Sequence, residues 1–476
     1  MKQLFFPRRS SPFWLTMLLG LPIASIVLVA TQSNFQSSLD AVISRVWNKE
    51  AEPYRYRYFE SAERMENPIG RIEQEIALYQ ERLRRDPMSA LSLSSLATAY
   101  IQMAKVTGEG NWYLLAEQSA QQSLASLPYG NPEALMLLAR VAEAKHDFTG
   151  ALNLAAQVPD HKDSIGIQVT SNLATGKLDL ASQAADQLVD RLPSVSALTL
   201  RALVKTAEGK DTEALQNFQD AIASEEPGEL TASARTRTLL GRFYYERGNL
   251  ELAEALYREA LRIQPGLPLA LMNLAQLKIR QGDYGAADRH YAEILATSRG
   301  TPRAFDPLVL RGQARIQKLQ GNDTQAQALW TQAESLLRQT LTTGQEATGS
   351  AFGHRRDLAH LLLERGNPQD IPEAVSLMQA EIKIRRDAET LSTYAGALLA
   401  HGQTQQAQQV IQEAIATGIR NASLYDRAAA IEAALGNQVQ ALGNQAQTSS
   451  QKALQIDPQF GDRARNALNL AAGLGG

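Results

Sequence analysis

The hydrophobic pattern divides the chain into three unlike parts. Phe13 to Ala30, FWLTMLLGLPIASIVLVA, runs without a charge and without a polar face. Leu39, Val42, Ile43, Val46 and Trp47 then recur at spacings of three and four, which predicts one amphipathic helix. PYRYRYF, Pro53 to Phe59, alternates aromatic and Arg, the period of a short strand or extended segment. Everything beyond reads as short stretches rich in Ala, Leu and Gln, broken by Gly and Pro. The β-branched and aromatic enrichment expected of strands is missing there, so this part predicts an all-α domain.

The uncharged run is just long enough to cross a bilayer core. Lys2, Arg8 and Arg9 stand before it, and the first basic residue after it is Arg45. That asymmetry predicts a single-pass membrane protein, its N-terminal tail cytoplasmic and its remainder across the membrane. A cleaved signal peptide, leaving a secreted soluble protein, is the rival reading. Its small-residue cleavage pattern is poor, since Leu28 precedes Ala30 and Pro22 precedes Ala24 at the required spacing. The expected organisation is a basic tail (1–12), a transmembrane anchor (13–30), and an amphipathic helix with an aromatic linker (31–66). An incomplete first unit (67–89), a repeat region (90–458) and a capping helix with its tail (459–476) follow.

The repeat is clearest in LLGRFYYERGNLELAEALYREALRIQP, which sets out Leu240, Gly241, Tyr244, Gly248, Ala253, Tyr257, Ala260 and Pro265 in order. The next unit gives Leu274, Ala275, Gly282, Ala287 and Tyr291. Gly248 to Gly282, Ala253 to Ala287 and Tyr257 to Tyr291 are each 34 apart. Small residues let two helices approach, a glycine supports the turn between them, and proline stops the second helix. Period and residue set together resemble the tetratricopeptide repeat (TPR) family. The resemblance implies an α-solenoid, a right-handed superhelix of helix pairs, here of about ten units preceded by one transmembrane helix. Such an array is expected to have each unit touching mainly its neighbours.

Composition narrows the chemistry. Net charge is −3, with none of the basic excess of a nucleic-acid-binding protein. There is no cysteine, so thiol catalysis, Fe–S clusters and Cys-type zinc sites are excluded. The six histidines make no HExxH, and His354 and His360 fall on nearly opposite faces of a helix, so no metal is expected. No phosphate loop or nucleophile elbow occurs, and the repeats leave no block for an enzyme domain. The expectation is a non-enzymatic, cofactor-free scaffold that binds a protein or peptide for recruitment or assembly. The alternative is a structural subunit of a multi-protein membrane machine.

The resemblance also implies a concave groove lined by the first helix of each unit. On this frame it carries Arg242, Asn273, Gln276, Arg311, Arg315 and Arg356, with His360 near the last. Arginine forks suit carboxylates. The family's carboxylate clamp is matched only at Asn273, because Thr238, Leu308 and Gly312 stand where its other polar residues belong. The arginines also read as a solvated face balanced by Glu246 and Asp357. On either reading, replacing Arg311 and Arg315 is expected to leave folding intact.

Overall fold

In the computed structural model the described residues are 54–58, 68–296, 303–348, 354–436 and 443–468. The apolar run 13–30 and the stripe at 39–47 lie outside them, and no described helix is long and apolar enough to cross a membrane. The chain divides into Met1–Arg55 and Tyr56–Gly476, and the second unit carries all the repeats. Its regular elements, among the described residues, are helices.

A lone helix α1 (Pro68–Arg85) is followed by ten antiparallel pairs. They are α2 (Ala90–Thr107) with α3 (Asn111–Ser126), α4 (Pro132–Ala144) with α5 (Phe148–Ala156), and α6 (Lys162–Ala174) with α7 (Leu178–Arg191). Next come α8 (Val195–Ala207) with α9 (Asp211–Ala223), α10 (Leu230–Tyr245) with α11 (Leu250–Ile263), and α12 (Pro268–Gln281) with α13 (Tyr284–Ala296). The last are α14 (Asp306–Leu319) with α15 (Asp323–Thr348), α16 (Arg355–Arg365) with α17 (Ile371–Glu381), α18 (Ala388–Ala400) with α19 (Thr404–Ala416), and α20 (Ala422–Gly436) with α21 (Gly443–Ile456). A short α22 (Asp462–Leu468) ends the described chain.

The pair α10–α11 shows why these residues make these elements. Asn249 caps α11, its side-chain oxygen accepting from the Leu252 amide at 3.2 Å. Leu250, Ala253, Leu256, Tyr257, Ala260 and Ile263 make its buried stripe, and the helix stops before Pro265. Gly248 carries the turn at φ +77°, a left-handed conformation natural to glycine. A Cβ on Gly241 would sit 2.6 Å from the Tyr257 ring, so the two helices are in contact where the small residue stands. Leu240, Ala275 and Ala287 are fully buried, Tyr291 is buried, and Gly282 repeats the turn at φ +83°. Tyr244 is half-buried beside this core.

The units do not touch only their neighbours. The turn within an early pair meets the loop between two pairs roughly two hundred residues later. The Ala304 amide donates to the Gly108 carbonyl at 2.9 Å, and the Arg386 amide to the Ala174 carbonyl at 2.8 Å. A Cβ on Gly209 would lie 2.0 Å from the Gly418 carbonyl oxygen, and one on Gly248 would strike Asp457. Arg420 reaches Asp211 at 3.0 Å and Arg280 holds buried Asp457 at 2.7 Å. The solenoid therefore coils back on itself along a seam between a first turn and a second. The expectation of a quasi-linear array is corrected: loop backbones, which carry no periodic hydrophobic signal, make long-range contacts.

His146 belongs to the same seam. It has φ +59°, the one positive value outside glycine among the described residues, at the turn position that glycine holds in later pairs. Its ring lies 3.9 Å from Glu381, whose side chain is wholly buried. Burial, reinforced by the charges of Arg385, His354 and Arg356 and opposed by Asp357, pushes the imidazole pKa down to about 3. Burial pushes the Glu381 carboxyl up.

Of the two readings of the aromatic linker, a short strand or an extended segment, the strand is not found in described residues 54–58. Arg57 and Tyr58 form a turn, and Tyr56 is buried against the repeats. Its amide donates to Glu259 at 2.8 Å, its hydroxyl to the Glu226 carbonyl at 3.3 Å, and its ring lies beneath Arg237. Long-range anchoring of a single ring takes the place of strand pairing.

Two outcomes are expected. Gly209→Ala and Gly402→Ala both place a side chain at positive φ, which costs about 1–2 kcal/mol. Only Gly209 faces the seam, so its variant should lose roughly 1–3 kcal/mol more in denaturant unfolding; equal losses would remove the seam. Second, neutral His146 is favoured in the fold, so its contribution is complete above the ordinary value of 6.5 and is lost as pH falls toward about 3. His146→Asn, which tolerates the left-handed backbone, should flatten the stability profile across that window in pH-dependent unfolding.

Candidate functional site: the groove of the first turn

The first helix of each pair lines the inside of the coil, and the two turns differ there. Arg242 of α10 and the second turn's Arg311, Arg315 and Arg356 are already engaged. The second turn's Arg427, against Gly396, has no ion-pair partner among the described residues, and burial pushes its pKa down to about 10. Arg242 bonds Glu246 at 2.6 Å and Gln276 at 3.0 Å. Arg315, buried, grips Glu364 through two donors at 2.8 and 3.2 Å, and Arg311 approaches the same carboxylate at 3.5 Å. Arg356 faces Asp387 at 3.7 Å, Glu389 at 3.5 Å and the Thr390 hydroxyl at 3.3 Å. Burial pushes the Asp357 carboxyl up, but the His354 hydrogen bond and the charges of Arg311 and Arg356 outweigh it and hold it well below the usual range. His360 bonds the Thr393 hydroxyl at 3.0 Å, and burial with Arg311 and Arg356 keeps its imidazole neutral.

The chain itself covers part of this surface. Helix α22 packs on α12, and its Ala467 carbonyl accepts from Gln276 at 3.4 Å and from Arg315 at 2.5 Å. Ala467 is fully buried with Leu271, Ala275 and Ile316. Asn273 is half-buried on α12, one turn from Gln276. Of the six groove residues named from sequence, Arg242 and Gln276 bond each other, Gln276 and Arg315 bond α22, and Arg311 and Arg356 face carboxylates of neighbouring units.

The first turn leaves a groove of about 650 Å³ open between α2, α4, α6, α8 and α10. Ile101, Leu200, Leu203 and Leu239 supply an apolar wall. Arg140 pairs with Asp163 at 2.6 Å, and Glu143 accepts from Ser171 at 3.0 Å and from Thr170. Lys105 and Arg235 face the same space and have no ion-pair partner among the described residues. Protein surrounds Lys105 on most sides although water reaches it. That partial burial, with the like charges of Arg140 and Arg235, lowers its pKa. Two cations without an ion-pair partner over an apolar wall favour an anionic group between them.

Sequence reasoning missed this half of the groove, though a signal exists. Arg140, Arg242 and Arg315 each stand six residues before their turn residue (His146, Gly248 and Gly321). Carrying that offset to the earlier units places Thr170 and Leu203 on the same face, and Arg235 two helical turns before Arg242. Among the described residues no cluster of three potential metal ligands occurs.

The expectation that Arg311 and Arg315 can be removed without harm does not hold for a buried pair. Arg311→Ala together with Arg315→Ala leaves Glu364 uncompensated and should cost about 3–5 kcal/mol in equilibrium unfolding. Adding Glu364→Leu to the pair should recover most of that loss; no recovery would show that other contacts of the two arginines carry the stability.

The tetratricopeptide repeat family model matches residues 194–265, from the start of α8 to the end of α11. No curated protein matches the chain. Among solved structures the chain is similar to a tetratricopeptide repeat protein from Parabacteroides merdae, at 16% identity and TM-score 0.36, over 52% of this chain and 93% of that one. It is similar to PilW, a widely conserved type IV pilus biogenesis factor, at 19% identity and TM-score 0.35, over 43% and 93%. It is also similar to human IFIT1 in a dimer with PPP-AAAA, at 15% identity and TM-score 0.42, over 81% and 87%. The match over residues 194–265 supports the tetratricopeptide repeat family for these helix pairs.

Proposed function

We propose that the protein is a membrane-anchored, non-enzymatic scaffold that holds a segment of another protein in the groove of its first turn. One observation carries the reading: Lys105 and Arg235 stand over an apolar wall with no ion-pair partner among the described residues, while Arg242, Arg315 and Arg356 are engaged internally. The fitting partner is a chain segment with apolar side chains and a carboxylate, placed so that the acid meets the two cations. A phosphate backbone is a poor fit, because Asp163 and Glu143 line the same space. The uncharged run 13–30 with its basic flank supports an anchor whose repeats lie across the membrane from the N-terminal tail.

Full-length protein carrying Lys105→Glu and Arg235→Glu should fold as wild type, since neither residue is buried in the core. It should lose at least nine-tenths of the partner recovered from solubilised membranes, and raised salt should weaken the wild-type complex. Unchanged recovery in a demonstrably folded variant would refute the groove.

A further inference from the structure

The seam gives the two turns unlike edges. Loops that join one pair to the next in the second turn are covered: Phe305 packs on Gly108, the Arg386 amide bonds Ala174, and Asp457 is buried with Arg280. Among the described residues no earlier turn covers the same loops in the first turn. Eleven large apolar side chains are exposed among the described residues, and six lie in or within two residues of these first-turn loops. They are Met88, Leu91, Leu127, Tyr129, Leu192 and Leu269, and none lies equally close to the covered second-turn loops. Met88 (67% exposed), Leu91 (79%) and Tyr129 (89%) stand out most. The Ser126 hydroxyl reaches the Met88 sulfur at 3.9 Å, which brings the loop of residues 86–89 against that of 127–131.

Beside this patch α1 ends in Arg82, Arg84 and Arg85. Glu81 bonds Arg84 and Arg85 from one side only, and their side chains remain 78% and 80% exposed. Tyrosine, leucine and methionine flanked by arginine make the chemistry of a surface that sits at the headgroup level of a bilayer. Tyr56, the first residue of the repeat unit, is also seated here, on Glu259 and on the Glu226 carbonyl in the loop before α10. A second copy is a poor occupant. The free turns at the opposite edge, around Gly321, Gly366 and Gly402, are flanked by Asn322, Asp323, Asn367 and Gln403, which offer no apolar match.

We propose that this edge of the first turn lies on the bilayer, with Met88, Leu91, Leu127 and Tyr129 in the interfacial layer and Arg84 and Arg85 over lipid phosphates. The groove mouth is thereby held close to the membrane surface. The inference rests on the reading of residues 13–30 as an anchor.

The chain has no cysteine, so a single engineered one takes a fluorophore without background. Full-length protein with Met88→Cys, Tyr129→Cys or Gln403→Cys is labelled and reconstituted in vesicles of phosphatidylcholine and phosphatidylglycerol in a two-to-one ratio. Flotation after a carbonate wash reports the anchor; quenching by lipids bearing a shallow nitroxide reports the edge. Labels at 88 and 129 should lose at least half their fluorescence to the lipid quencher, and the label at 403 almost none. Floating protein whose labels at 88 and 129 respond like that at 403 overturns the edge and leaves the anchor standing. Labels at 88 and 129 that are shielded from both aqueous iodide and the lipid quencher also overturn it, in favour of a protein occupant. Protein that does not float overturns both readings.

Discussion

The close passage of one loop backbone against another governs this molecule. At Gly209 the space left for a side chain is taken by a carbonyl oxygen from a loop roughly two hundred residues away. That approach needs a residue with no Cβ and a left-handed backbone, and the repeat supplies one for its own reason, the tight turn between paired helices. One glycine thus satisfies a local and a distant demand. The distant one fixes the pitch of the coil, and the pitch fixes how far the inner helices of the two turns stand apart.

The inner surface follows from that geometry. Bringing the helices of the second turn close enough to pair Arg315 with Glu364, and Arg356 with Glu389, neutralises them and fills the space with side chains. Desolvating those pairs is tolerable because each guanidinium finds both a carboxylate and further oxygen acceptors. In the first turn Asp163 and Glu143 share the groove with Lys105 and Arg235 but are bonded to Arg140, Ser171 and Thr170, so the two cations keep no ion-pair partner among the described residues.

How much of this could be read beforehand depends on range. Gly241, Gly248, Ala253 and Tyr257 declare the helix pair because their partners lie within one unit, and a period of 34 repeats the message. The seam could not be read, since Gly209 and Gly418 look like any other turn glycines until the coil brings them together. Arg315 reads as a surface arginine because Glu364 and the Ala467 carbonyl arrive from other units. His146 hides for a different reason: a histidine in a turn gives no sign of a positive φ or of the buried Glu381 beside it. The alternation around Tyr56 leaves strand and extended segment open, and gives no sign that one ring is seated in a socket against Glu259 and the Glu226 carbonyl.

That socket has a mechanical meaning. Tyr56 precedes every described helix, yet it is fastened to α11 and to the loop before α10. A pull on the residues before it reaches the fold there before it reaches α1, so α1 to α9 hang outside the load path. Tension is carried by a buried ring and its hydrogen bonds into α11 and the loop before α10. The early helices, which wall the open groove, keep their spacing under load.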